Sequence, residues 1–205
     1  MPMNPLSATT NTDRQHTVER SVAVLTGDVI RSSELTSSEL KVALDIIERI
    51  GRHLSSIWGI PMLVGFARHR GDGWQMVLDQ PHLALRASLY IRASLTSENT
   101  SFRTRISIAT GATEFGPQSD PNSATGSVFV ASGRGLDAMK LPETLAFANG
   151  GALGAATRLA DYVSAGWTKP QARAMREILW PDRPTHAKIA AELGISRQAV
   201  DQNLS

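Results

Sequence analysis

Cysteine is absent from this 205-residue chain. Disulfides and thiol chemistry are thereby excluded, and His, Asp and Glu remain as the strong metal ligands. Long apolar runs are missing too: none approaches the roughly 20 residues that cross a bilayer, and the N-terminus shows no basic-then-apolar signal pattern. These absences predict a cytoplasmic protein with no membrane partner. Charge of one sign is also scarce, the formal net charge being +2. What is present, 41% hydrophobic and 20% charged residues with 16 Gly and 10 Pro, fits a folded chain with one sizeable core and a small appended module.

Residues 1–20 carry no apolar period and read as a flexible lead-in. Ser21–Thr26 is short and β-branched and runs into Gly27-Asp28, as a buried strand runs into a loop. Thr36 and Glu39 make a capping box, and Leu40, Ala43, Ile47, Ile50, Leu54 and Ile57 then fall on one helical face, with Pro61 ending the helix. Met62–Ala67 and Trp74–Leu78 read as a hairpin with the charged tip 68–73 between them. Pro81 opens a second helix, in which Arg86 and Arg92 are expected to stay wet, and Phe102–Thr110 reads as a long strand. The order strand, helix, strand, strand, helix, strand predicts an α+β, ferredoxin-like domain over 21–148. Residues 111–126 read as an excursion, Ser132–Met139 as a short helix and Leu145–Phe147 as a last strand, with a Gly/Ala-rich linker helix over 149–166.

From residue 167 to 205 the pattern becomes that of an all-α helix-turn-helix. Pro170 lies early in one helix, Thr185 caps a second, Gly194 closes it, Ile195 fills the gap between helices and Ser196 caps a third. Arg197, Gln198, Asp201 and Gln202 then point outward, where a recognition helix meets duplex DNA, with Thr185 and Ser196 at helix starts beside the phosphates. A packing module with a solvated face is the alternative. Residues 166–205 hold six Lys or Arg against four Asp or Glu, so one copy binds weakly, which predicts a homodimer on double-stranded DNA.

Asp28 just after the first strand and Asp72 at the hairpin tip are expected side by side, where two carboxylates can hold Mg²⁺ with substrate phosphates. Each also has a structural reading, as a backbone cap or a turn residue. Arg31, Arg68, Arg70 and Arg134 stand near these loops and suit phosphate or a neighbouring carboxylate. His69 reads as solvated, and Trp58 and Trp74 as core.

Over roughly 21–205 the chain resembles the SatD-like family of small bacterial cytosolic proteins that end in a helix-turn-helix. The residues that carry this are Leu25–Ser32, Arg70-Gly71-Asp72-Gly73-Trp74, the Ser107–Gly111 strand end, and Trp167–Gln171 leading into Ile189–Leu204. The N-terminal part also resembles a pared-down class III nucleotidyl cyclase or GGDEF-like domain. That resemblance implies Asp28 and Asp72 as metal-binding aspartates, Arg68 near the purine-reading position and Arg134 as the phosphate-contacting arginine. Ser127 and Val130 stand where the cyclase pattern has Asp and Asn, which argues against turnover. The sequence therefore predicts a DNA-binding transcriptional regulator, not an enzyme, with an N-terminal dimerisation or ligand-sensing domain. The alternative is a metal-dependent nucleotidyl cyclase-like or phosphoryl-transfer enzyme using Asp28 and Asp72.

Overall fold

The computed structural model describes residues 18–69, 71–116 and 120–205. Most of the expected lead-in, residues 1–17, and Arg70 lie outside the described residues. The first strand, β1 (Val18–Val29), is longer than expected at both ends. It occupies the middle of a five-stranded mixed sheet because both of its faces are apolar: Ala23 and Leu25 enter one core cluster, Val22 and Val24 the other. The remaining strands are β2 (Val64–Arg68), β3 (Gly73–Leu78), β4 (Thr104–Phe115) and β5 (Leu145–Phe147). Their order is β2-β3-β1-β4-β5, antiparallel except for β5 alongside β4. β4 runs five residues beyond the expected Thr110, since the N-terminal extension of β1 gives it a partner as far as Val18 opposite Phe115.

Two helices, α1 (Ser37–Trp58) and α2 (Ala84–Glu98), cover one face of the sheet. The α1 capping box forms, with the Thr36 hydroxyl accepting from the Glu39 N–H at 3.2 Å and the Glu39 carboxylate accepting from the Thr36 N–H at 2.9 Å. Gly59, at φ 64°, ends this helix before Pro61 is reached. On the other face α3 (Ser127–Ala138) begins five residues earlier than expected, because Val128 and Phe129 pack onto Val22, Val24 and Val77.

The expectation that Arg92 stays wet is wrong. α4 (Gly151–Ala165) brings Asp161 over α2, and Arg92, only 7% exposed, donates to Asp161 at 2.7 Å and to the Thr144 hydroxyl at 3.0 Å. Arg86 is not free either, since it donates to the Leu179 and Trp180 carbonyls after α5 (Lys169–Ile178). Leu179 joins the main core and Trp167, Met175 and Trp180 pack against it, so the last part of the chain is docked by way of α5. α6 (His186–Leu193) and α7 (Arg197–Leu204) add a small core of Ile189, Ala190 and Val200. Thr168, Thr185 and Ser196 cap these three helices and Gly194 turns at φ 64°, but Ile195, expected to fill a gap, is 36% exposed. Among the described residues no helix is long and apolar enough to cross a membrane.

Candidate functional site

The register of β1 decides what meets at the end of the sheet. Asp28 lies opposite Gly73 of β3 on one side and Arg105 of β4 on the other. Asp72 precedes Gly73 in the turn after β2, where Gly71 has φ 80°, so both aspartates stand at the same sheet edge. Arg105, which the sequence reading does not single out, closes the group. Its Nε donates to Asp28 Oδ1 at 2.9 Å, its Nη2 to Asp28 Oδ2, and its Nη1 to the Met139 carbonyl at 3.2 Å. The fork geometry of a guanidinium on a carboxylate makes this a strong, oriented pair, and both side chains keep partial access to water, 23% for Asp28 and 29% for Arg105. The Asp28 hydrogen bond raises the Arg105 pKa most; burial opposes it, and the charges of Asp28, Asp72 and Asp137 add to the rise.

Two carboxylates alone do not make this a preformed metal site. Both Asp28 oxygens accept from Arg105, and the described residues contain no group of three or more His, Cys, Asp or Glu that could hold an ion. An open cleft of about 600 Å³ is lined by Ile30, Arg31, Glu34, Arg103 and Thr144 among others, but not by Asp28, Asp72 or Arg105. Arg31 takes the left-handed conformation at φ 53° where β1 leaves the sheet, a backbone choice that costs most residues about 1–2 kcal/mol.

The residues expected to meet a nucleotide are dispersed. Arg68 pairs with Glu48 at 3.3 Å and Asp45 at 3.6 Å on α1, and Arg134 is exposed on α3. Ser127 is the first residue of α3 and Val130 lies one turn along it, 49% exposed. The second half of α3 covers a polar strip on the sheet: Gln75 donates to Thr26 at 3.0 Å, Thr26 meets Ser132, and the buried Ser107 hydroxyl has no partner. Gly135 fits closely against Ser107, whereas a Cβ on Gly133 would meet nothing within 4 Å. Gly133→Ala is therefore expected to stabilise the fold by about 0.5–1 kcal/mol through helix propensity alone, measured as a higher urea midpoint with unchanged slope.

In the C-terminal helices Arg197, Gln198 and Gln202 are exposed, Thr185 and Ser196 serve as caps, and Asp201 contacts His186. α7 thus presents a single cation, Arg197, and an aspartate already engaged.

No family model matches the chain, and no curated protein does. Solved structures do. The chain is similar to the catalytic core of a rhodopsin-guanylyl cyclase with converted specificity in complex with ATPalphaS, at 18% identity over 60% of this chain and 74% of that one, with a TM-score of 0.46. The guanylate cyclase domain from Catenaria anguillulae in complex with GTP is 18% identical over 60% and 76% of the two chains, with a TM-score of 0.43. A bacterial light-regulated adenylyl cyclase is 16% identical over 91% and 100%, with a TM-score of 0.47. At such identities the likeness concerns fold and not reaction.

These findings correct the sequence reading in two respects. No family model matches, so the resemblance to the SatD-like family has no support there, and the solved structures that are similar are nucleotidyl cyclases. The expected DNA-binding, non-catalytic regulator with duplex DNA as its partner is corrected to this extent: the solved structures named above are nucleotidyl cyclases and not DNA-binding regulators. The single cation on α7 is the physical counterpart, because affinity for duplex DNA follows the number of phosphates neutralised. The chain has an α+β domain with a mixed sheet, followed by a mostly α-helical C-terminal region.

Proposed function

We propose that the N-terminal domain, ferredoxin-like in its βαββαβ order, binds a nucleoside triphosphate at the open end of the sheet and carries out nucleotidyl or phosphoryl transfer on it. The observation that carries this reading is the convergence of Asp28 and Asp72 with Arg105 at one end of the sheet; Arg31 and Arg103, two or three residues along the chain from Asp28 and Arg105, line a cleft. Such transfer needs little covalent help from a protein and much electrostatic positioning. Arg31 and Arg103 suit the phosphates, Arg134 on α3 a phosphate on the outer side, and Arg68 at the hairpin the nucleoside end. Asp28 and Asp72 are the acidic groups, able to orient an attacking hydroxyl. In this reading residues 21–148 carry the site, 149–166 connect, and 167–205 brace the main core through α5.

The test is incubation with ATP and with GTP, each with and without Mg²⁺ or Mn²⁺, with products separated chromatographically. Nucleotide consumption is expected, falling by about 100-fold or more in Asp28→Asn, the loss typical when one electrostatic group of a reacting site is removed. Circular dichroism checks that the variant is folded. A folded wild-type chain that neither binds nor consumes either nucleotide would overturn the reading.

A further inference from the structure

Resting on that reading of the sheet end, we infer that Arg105 takes the place of a divalent ion there, so that the chain carries its own cation and keeps Asp28 closed to free metal. The first reason is occupancy. A single guanidinium donates to both Asp28 oxygens, so a Mg²⁺ or Mn²⁺ ion coordinating either oxygen at about 2.1 Å has to share the carboxylate with a cation already bound to it.

The second reason is fixation. Asp28 and Arg105 are directly opposed residues of paired strands and not loop residues, and the Met139 carbonyl holds the guanidinium from its other side at 3.2 Å. An ion entering at Asp28 must therefore break three hydrogen bonds and move a cation that the sheet itself positions. The third reason is charge. Asp28, Asp72 and Asp137 all act on Arg105; with the arginine present the four groups sum to −2, and without it to −3. Removing the arginine both frees a carboxylate and deepens the negative potential, the two changes that convert an ion-paired acid into a cation ligand.

Manganese alone is the probe, titrated into wild type, Arg105→Gln, Asp28→Asn and the double variant, with binding followed by calorimetry or by the electron paramagnetic resonance of free Mn²⁺. Wild type is expected to bind weakly, Arg105→Gln at least about tenfold more tightly, which is about 1.4 kcal/mol, and the gain is expected to vanish when Asp28→Asn is added. Wild type binding Mn²⁺ tightly, with the affinity removed by Asp28→Asn, would overturn the inference without any Arg105 variant. Equal weak binding by wild type and a folded Arg105→Gln would overturn it as well. Should Arg105→Gln not fold, Arg105→Lys keeps the charge but forfeits the bidentate fork, and is expected to bind more tightly than wild type; no gain in that folded variant counts against the inference. Because no nucleotide is present, failure of nucleotide turnover and failure of this exchange are read separately.

Discussion

Arg92→Ala is expected to destabilise the protein by about 3–5 kcal/mol, the usual result of removing one partner from a buried ion pair. The pair is 7% and 6% exposed and spans three parts of the chain: Arg92 on α2, Asp161 on α4 and Thr144 ahead of β5. Both carboxylate oxygens are engaged: Asp161 Oδ1 accepts from Arg92 at 2.7 Å and from the Thr144 hydroxyl at 2.7 Å, and Oδ2 accepts from the Thr144 N–H at 2.9 Å. Truncating the arginine leaves a carboxylate with neither water nor cation, which is where the cost arises. Replacing both charges together, Arg92→Met with Asp161→Leu, should cost much less, and the coupling energy of that double-mutant cycle distinguishes the pair from mere packing.

The acid limb of stability follows from the same group. Burial pushes the Asp161 carboxyl upward, but the Thr144 N–H and hydroxyl and the Arg92 guanidinium outweigh it, and the net shift is downward. A carboxyl whose folded pKa is depressed contributes stability above its unfolded value, about 3.9, and loses it as pH falls through the lower folded value. Urea titrations at pH 7 and near pH 3 should therefore show a smaller acid loss in Asp161→Asn than in wild type.

Local signals carried much of the fold into view from sequence. The alternation and turn chemistry of 62–78 locate the hairpin, the Thr36 box starts α1, and the Thr185, Gly194 and Ser196 trio delimits the last helices, because each rests on contacts within a few residues. What was not legible depends on partners far along the chain. Arg92 reads as solvated until Asp161, 69 residues away, is seen above it. β4 reads as stopping at Thr110 until the N-terminal half of β1 supplies the other side of its ladder. The site divides the same way: Asp28 and Asp72 were legible from strand ends and a turn, whereas Arg105 looks like one of several arginines in an alternating strand, and only register places it on Asp28. The DNA-binding reading leaned on the same local signals, since helix caps report a three-helix arrangement and not what that arrangement is used for.

Gly27→Ala should damage fold and site together. Gly27 lies one residue before Asp28 and opposite both Trp74 and Ile106. A Cβ there would sit 2.5 Å from the Arg105 carbonyl oxygen and 2.5 Å from Cζ2 of the Trp74 ring. Neither neighbour can yield: the carbonyl belongs to the strand next to β1, and the ring is fully buried with its Nε1 donating to the Thr104 hydroxyl at 3.1 Å. Overpacking in a core commonly costs about 1–3 kcal/mol, and a clash with backbone places this substitution at the upper end or above. The only relief is for β1 and β4 to spread at Gly27, which draws Arg105 off Asp28, because the pair is set by strand spacing. The variant should thus show both a lowered denaturation midpoint and, where it still folds, Mn²⁺ binding shifted toward that of Arg105→Gln. Adding Trp74→Leu removes the ring but not the carbonyl, so it should restore little of the stability. Full rescue by Trp74→Leu would assign the strain to the ring alone, and a Gly27→Ala protein as stable as wild type would show that β1 and β4 are not held at this separation.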